Sequence, residues 1–277
     1  MCRALRQRSE TSETPIIVLS ASPGIAERVA SVRAGATDYL VKPPDPQDLI
    51  ARLRTAVDLR QEKAGFVVAV IGSKGGAGAS TIASNLAVAL RQETRAGIVL
   101  VDGVLDGGVQ DVLLNIQATR TLGQALARMA DLEEQDFEAL LTGHGSGLQA
   151  LLLQGQGPEI IGAEELHKAL AALRRMRDWI VTDLPGQIDE LTATVLELAD
   201  RVLLVLTPEI TSLRGAKVLL ERAGRLGLAG ERIVPVLNRF PQPGGLERDV
   251  IEQALGLPLQ VVPDEPRLVT YSINRGV

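Results

Sequence analysis

A glycine-rich stretch, "SKGGAGAST" at residues 73–81, follows the apolar run "FVVAVIG". Glycines let a backbone bend sharply and turn successive N–H groups toward one point, where they can hold a phosphate. The next segment, "STIASNLAVAL", has the pattern of a helix, and a helix N-terminus adds positive potential at that place. A strand, a glycine loop and a helix in this order predict a phosphate-binding loop.

The loop departs from the usual pattern G-x-x-x-x-G-K-[ST] at two positions. Ser73 stands at its first glycine, and Ala79 stands at its lysine. A charge-assisted hydrogen bond contributes about 1.5–3 kcal/mol, so losing one lysine–phosphate contact should weaken nucleotide binding roughly tenfold to a hundredfold. We expect binding to survive, because the backbone N–H groups, the helix N-terminus and Mg²⁺ remain. Hydrolysis should suffer more, because the transferred phosphoryl group needs preorganised cations.

Two further residues have the chemistry of a magnesium site. Asp183 ends the apolar run "WIVTD", and Ser80 follows the glycine loop directly. Carboxylate and hydroxyl oxygens are hard donors that suit Mg²⁺. We expect Ser80 to bind the ion directly. The end of this run resembles a Walker B site, which implies that Asp183 orients the ion through water. The alternative for Asp183 is that it caps a turn.

Apolar runs that resemble buried strands alternate with amphipathic helical patterns along the chain. The runs are "TPIIVLSA", "TDYLVKP", "GFVVAVIG", "GIVLVDG", "WIVTDLP", "RVLLVLTP" and "RIVPVLNR". Near-continuous apolar strands separated by helices are typical of parallel sheets covered on both faces. The predicted fold class is therefore α/β, with a doubly wound, mostly parallel sheet.

Composition limits the classes of function. Aromatic residues are 2% of the 277 and hydrophobic residues 45%, so the core must be aliphatic. Cys2 is the single cysteine, which excludes an intrachain disulfide and a cysteine-rich metal site. The net charge of −5 gives no general attraction to nucleic acid, and arginines mixed with acids in "ERAGRLGLAGER" do not favour DNA binding. No apolar run reaches the roughly 18 residues of a spanning helix, and we expect a cytoplasmic protein.

A charged break, "RQEKAG", divides the chain into residues 1–60, a linker at 61–65, and residues 66–277. In the first part, "TPIIVLSA" and "AGATDYLVKP" resemble the C-terminal half of a response-regulator receiver domain. Ser20 matches the residue that ends the fourth strand of that family, and Lys42 with Pro43 matches the pair that ends the fifth. The resemblance implies a cis peptide between Lys42 and Pro43. The half that carries the phosphoacceptor aspartate is absent, so we expect the chain to begin inside that domain.

The loop "KGGAGAST" resembles the deviant Walker motif, K-G-G-x-G-K-[ST]-T, of the ParA/MinD family of P-loop ATPases. In that family the first lysine reaches across a nucleotide-sandwich dimer to the partner's phosphates, and Lys74 matches it. The resemblance implies ATP and Mg²⁺ as cofactors and an ATP-dependent homodimer. The nucleotide-binding positions that it assigns here are Lys74, Gly75, Gly76, Ala77, Gly78, Ala79, Ser80 and Thr81.

The family's D-x-D element falls on "VDGVLD". Asp102 matches its first aspartate and joins Ser80 and Asp183 as a metal residue, acting through water. Val104 stands where the second aspartate orients the attacking water. Asp106, two residues later, would replace it as a catalytic residue with Lys74 if the loop were rearranged. The departures at Ala79 and Val104 both indicate weak hydrolysis or none.

The resemblance extends to the base-binding end of the site. Asn238 in "VLNR" matches the family's adenine-reading asparagine, and Arg239 follows it. Pro263 and Asp264, in "VVPDEPRLVTYSINRGV", match the loop that flanks the base. We expect the ATPase domain to lack the family's last helix.

A receiver half joined to a deviant Walker ATPase resembles the CpaE/TadZ proteins of Flp (Tad) pilus assembly, as does the stretch 183–221. The resemblance implies a nucleotide-switched localisation or assembly factor that binds pilus or secretion machinery and is recruited to the cell pole or the inner face of the membrane. Two alternatives stay open. One is an active ParA/MinD-type partitioning or positioning ATPase, against which Ala79 and Val104 argue. The other is a receiver-regulated signalling protein, against which the missing acceptor argues.

Overall fold

The computed structural model describes residues 2–6, 14–22, 24–53, 65–105, 107–117, 120–126, 134–153, 161–228 and 230–275. The chain forms two units, Met1–Ala64 and Gly65–Val277. Asp106 lies outside the described residues, and so does most of the predicted linker, 61–64.

The first unit contains two parallel strands, β1 (Ile17–Ser20) and β2 (Asp38–Val41). Its helices are α1 (Cys2–Arg6), α2 (Ile25–Arg33) and α3 (46–53). The ends of the strands lie side by side, because the Lys42 backbone N–H donates to the Ser20 carbonyl over 2.7 Å. The Lys42–Pro43 peptide is cis, which confirms that expectation.

The second unit is built on an eight-stranded sheet. Its strands are β3 (Phe66–Gly72), β4 (Ile98–Asp102), β5 (Thr142–Gly143), β6 (Gln149–Leu152), β7 (Trp179–Leu184), β8 (Arg201–Leu206), β9 (Ile233–Leu237) and β10 (Gln260–Val261). The spatial order is β10-β9-β8-β3-β7-β4-β6-β5, and every neighbouring pair is parallel except β5 and β6. The predicted α/β class with a mostly parallel sheet is confirmed.

Nine helices of this unit lie within the described ranges. They are α4 (Ala79–Thr94), α5 (Gln110–Leu113), α6 (Leu122–Leu126), α7 (Glu134–Leu140), α8 (Ala163–Met176), α9 (Glu190–Leu198), α10 (Ile210–Arg225), α11 (Arg248–Leu255) and α12 (Pro266–Ile273). A short 3₁₀ turn covers Gly230–Arg232. None of the described helices combines the length and the apolarity that a bilayer crossing requires.

The resemblance assigns the stretch "VVPDEPRLVTYSINRGV" to a loop, but its residues Pro266–Ile273 form the helix α12. Pro266 occupies its first turn, where a proline is tolerated because the missing N–H has no partner there in any helix. Its N-terminus therefore begins directly after the loop that holds Pro263 and Asp264.

The sheet is covered on both faces, as the continuous apolar strands predict. One face packs against α8, α9 and α10, through aliphatic side chains such as Leu170, Val195 and Leu219. The other face packs against α4, whose Ala83 and Ala87 are completely buried. Small residues let α4 approach the sheet closely, and this fixes the helix that begins at the glycine loop.

Candidate nucleotide-binding site

The glycine loop spans residues 73–78, between the end of β3 and the start of α4. Gly76 and Gly78 have φ angles of 78° and 97°, in the left-handed region that glycine adopts without strain. A Cβ on Gly78 would lie 2.3 Å from Asn238 Nδ2, whereas one on Gly75 or Gly76 would meet no described atom within 4 Å. The loop is thus packed at its end and open over its middle, where a phosphate would lie.

The start of the loop is held by the first turns of α10. The Ser73 and Ser212 hydroxyls are hydrogen-bonded at 2.7 Å, and both residues are buried. A Cβ on Gly215 would lie 2.0 Å from the Ser73 carbonyl oxygen, so helix and loop are in close backbone contact. The serine that replaces the usual first glycine therefore anchors the loop to α10.

The two lysine positions of the loop differ in charge. Lys74 is ion-paired with Glu209, at 2.6 Å between Nζ and Oε2, and their side chains are 33% and 41% exposed. This pair lowers the pKa of Glu209. Ala79 opens α4 at the other position and packs partly against the core beside Gly72. Lys74 is thus the cation that the loop itself contributes.

Asp102 and Asp183 lie side by side, because β4 and β7 pair them in register. Both are buried, at 5% and 0% exposure. Burial and, to a smaller extent, the charge of Asp183 raise the pKa of Asp102 to about 6, against hydrogen bonds from the Gln110 and Val104 backbone N–H groups. Burial also raises the pKa of Asp183, against hydrogen bonds from Gln110 and Ser80. The structure therefore brings Ser80, Asp102 and Asp183 together.

Gln110 completes this cluster, and sequence reasoning missed it. It is completely buried at the first position of α5. Its Nε2 donates to Asp183 Oδ2 over 2.9 Å and to the Ser80 carbonyl over 3.0 Å, and its backbone N–H donates to Asp102 Oδ2 over 3.1 Å. A lone glutamine eight residues after Asp102 has no motif that could have identified it.

The cluster fits Mg²⁺. Asp183 Oδ1 and Gln110 Oε1 are buried acceptors without a partner among the described residues, and such atoms require a donor or a cation. Magnesium is typically held by one or two carboxylates, substrate phosphates and its own waters rather than by an all-protein cage. Ser80, Asp102 and Asp183 would hold it beside the loop, where it would neutralise phosphate charge. Val104 contributes a backbone N–H to Asp102 over 3.2 Å and no carboxylate.

The residues predicted to bind the base lie at the far end of the loop. Asn238 Nδ2 donates to the Ala77 carbonyl over 2.9 Å, and its Oδ1 accepts the Arg239 backbone N–H over 3.0 Å. The Phe240 N–H donates to the Val262 carbonyl over 3.1 Å. This bond places the two residues after Val262, Pro263 and Asp264, beside the segment that holds Asn238. Among the described contacts of this region, Arg239 contributes its backbone N–H, and the residue is exposed. Thr81 lies in the first turn of α4.

The fold and this site define a P-loop ATPase of the ParA/MinD class. A solved structure of a ParA family ATPase from Chlorobium tepidum is 27% identical, with a TM-score of 0.71 over 77% of this chain and 90% of that one. The septum site-determining protein MinD of Pyrococcus horikoshii, solved with Mg-ADP, shares the fold at 23% identity and a TM-score of 0.65, over 77% of this chain and 86% of that one.

The family follows from the sequence of the second unit. The profile of the cellulose biosynthesis protein BcsQ family matches residues 66–263, and the chain belongs to that family. A shorter similarity, 48% identity over 54 residues, relates 20% of this chain to 24% of the phosphate regulon transcriptional regulatory protein PhoB of Rhizobium meliloti.

Proposed function

We propose that this protein binds Mg-ATP, dimerises in response to it, and in that state localises or assembles a cell-envelope machine, the Flp (Tad) pilus. One observation carries the proposal. The open loop, Ser80 and the paired aspartates are the groups that we expect to bind a nucleotide, while Ala79 and Val104 lack the charged groups that we expect to promote turnover. A site that holds ATP and cleaves it slowly suits a switch whose bound state persists.

Lys74 is the residue that we assign to dimerisation. In the single chain it pairs with Glu209, and both side chains are partly solvent-exposed. Exposed ion pairs contribute only about 0–1 kcal/mol, so Lys74 can exchange this partner for a phosphate at little cost. Since Ala79 carries no charge, the γ-phosphate needs a second cation beside Mg²⁺, and Lys74 of a partner chain would supply it.

We propose the same two-part organisation for the chain as a whole. Residues 1–60 form a receiver-like half, 61–65 link it to the rest, and 66–277 form the ATPase domain. The similarity to PhoB supports the receiver-like assignment, as does the position of Ser20 and Lys42 at neighbouring strand ends.

The second candidate is an active positioning or partitioning ATPase. Its support is the 27% identity to a ParA family ATPase and the intact set of metal residues. The two candidates differ in turnover, because a partitioning cycle must hydrolyse ATP to reset, whereas an assembly switch can exchange nucleotide.

The test compares four proteins: the parent, Lys74→Ala, Ala79→Lys, and Lys217→Ala as a control that removes an exposed lysine from α10. Calorimetry should show Mg-ATP binding to the parent and about tenfold or more tighter binding to Ala79→Lys. Sedimentation with a non-hydrolysable ATP analogue should show dimers of the parent and of Lys217→Ala, and monomers of Lys74→Ala. Phosphate release should stay low in all four.

Absence of binding at millimolar Mg-ATP would refute the nucleotide switch. Dimers of Lys74→Ala equal to those of the parent would show that Lys74 has another role. Brisk phosphate release by the parent would favour the partitioning ATPase. The pilus assignment is tested in a piliated host, where Lys74→Ala should abolish both the polar position of a fluorescent fusion and the pili, and retention of pili would refute it.

A further inference from the structure

Between β4 and α5, the described residues 103–105 and 107–109 lie against the metal residues. The glycines of the second stretch permit this approach, since a Cβ on Gly108 would lie 2.6 Å from Asp102 Oδ2, and Gly107 has a φ angle of 78°. Gln110 follows and inserts its amide between Ser80 and Asp183. Beyond it, α5 contacts both α4 and α12. One buried side chain therefore joins the metal position to a surface helix.

We infer that Gln110 is a positioning residue that links occupancy of the magnesium site to the conformation of residues 103–105 and 107–113. This inference rests on the proposed function, because it assumes that the site takes Mg-nucleotide. It goes beyond that function by assigning to the Gln110 amide the contact that changes when Mg-nucleotide binds.

The chemistry of the amide explains the assignment. Gln110 uses its donor, Nε2, on Asp183 and Ser80, while its acceptor, Oε1, is buried without a partner among the described residues. An unpartnered buried acceptor is costly, and so is the second one on Asp183. The water molecules that Mg²⁺ retains are donors and would satisfy both acceptors. The protein thus satisfies the donor of the Gln110 amide, and the water bound to Mg²⁺ would satisfy its acceptor.

Two substitutions of Gln110 should have opposite effects on the gain in affinity from Mg²⁺. Gln110→Leu removes both the donor and the acceptor while keeping a side chain of similar size. The site with Mg-nucleotide then loses the contact between Oε1 and the water of the ion, a contact that does not exist when nucleotide binds without Mg²⁺. Gln110→Glu keeps an acceptor and adds a negative charge beside Asp102 and Asp183. That charge disfavours the site without a cation and favours the site with one. A role in packing alone would alter binding equally with and without Mg²⁺.

The experiment measures the dissociation constant of an ATP analogue in Mg²⁺ and in EDTA, and takes their ratio. Gln149→Leu, the same change on β6, is the control. We expect Gln110→Leu to reduce the gain in affinity from Mg²⁺ about tenfold, with EDTA values near those of the parent. Gln110→Glu should increase that gain, and the control should leave it unchanged. Hydrogen exchange of the parent should show protection of residues 103–113 with Mg-nucleotide and not with nucleotide in EDTA.

The outcomes separate the two proposals. If the parent binds the analogue and gains affinity from Mg²⁺, but both Gln110 variants keep its ratio, the inference is overturned and the proposed function stands. If the parent binds no nucleotide, both are overturned. If Gln110→Leu does not fold, Gln110→Glu and the hydrogen exchange of the parent decide the question. Equal hydrogen exchange of residues 103–113 with nucleotide in Mg²⁺ and in EDTA overturns the inference.

Discussion

Ionisation of Asp102 should make the second unit less stable as the pH rises from about 4 to about 6 in the absence of nucleotide. Asp102 is 5% exposed and lies beside a second buried carboxylate. Burial raises its pKa from 3.8 to about 6, since the two backbone N–H donors offset the lost hydration only in part. That difference in pKa corresponds to about 3 kcal/mol of unfolding free energy.

The direction follows from the protons bound in each state. Below about pH 4 both states hold the Asp102 proton, and above about pH 6 neither does. Between these values the folded state holds it and the unfolded state does not, so raising the pH favours unfolding. Burial raises the pKa of Asp183 too, which adds to the same trend. The free energy of unfolding should therefore fall across this window and level off above it.

The single tryptophan makes the measurement specific to the second unit. Trp179 lies on β7, with its ring centroid 5.0 Å from that of Phe66. Urea unfolding followed by its fluorescence, from pH 4 to pH 8, should show the decline in the parent. Asp102→Asn should remove most of it, leaving the part due to Asp183. Asp249→Asn, which removes an exposed carboxylate from α11, should behave like the parent.

Equal slopes for the parent and Asp102→Asn between pH 4 and pH 6 would refute this account of the site. Saturating Mg-nucleotide should reduce the decline, because a cation compensates the two carboxylates. A decline that Mg-nucleotide leaves unchanged would mean that these two carboxylates do not hold the ion.

Two further predictions concern the contact between the glycine loop and α10. Gly215→Ala should destabilise the unit by about 1–3 kcal/mol and weaken nucleotide binding, because its Cβ would lie 2.0 Å from the Ser73 carbonyl. Gly224→Ala on the same helix is the control, because its Cβ would meet no described atom within 4 Å. It should stabilise the unit by about 0.5–1 kcal/mol, and chemical denaturation of the two variants measures the difference. Glu209→Gln should free Lys74 and shift the analogue-induced dimer to lower protein concentration in sedimentation, and a shift to higher concentration would contradict the role given to their ion pair.

The sequence was sufficient to predict the class of fold and the position of the loop. The seven apolar runs all became strands. In the eight-stranded sheet the physical reason is that a parallel strand buried on both faces must be apolar along nearly its whole length. The glycine loop could be located because its chemistry is local and consecutive. Short strands such as β5, β6 and β10 have too few residues to show a period, and α12 was missed for a similar reason.

The tertiary structure alone decided which side chains meet at the site. Asp102 and Asp183 are 81 positions apart and become neighbours because β4 and β7 pair in register. Ser73 meets Ser212 because β8 pairs with β3, so that α10, which begins shortly after β8, starts beside the loop. Gln110 gains its importance from where the segment after β4 folds back, and a single polar residue carries no pattern that reveals this. A phosphate-binding loop can be predicted because consecutive residues form it. Buried charge pairs and their hydrogen-bond partners cannot, because they are brought together by strand order and register.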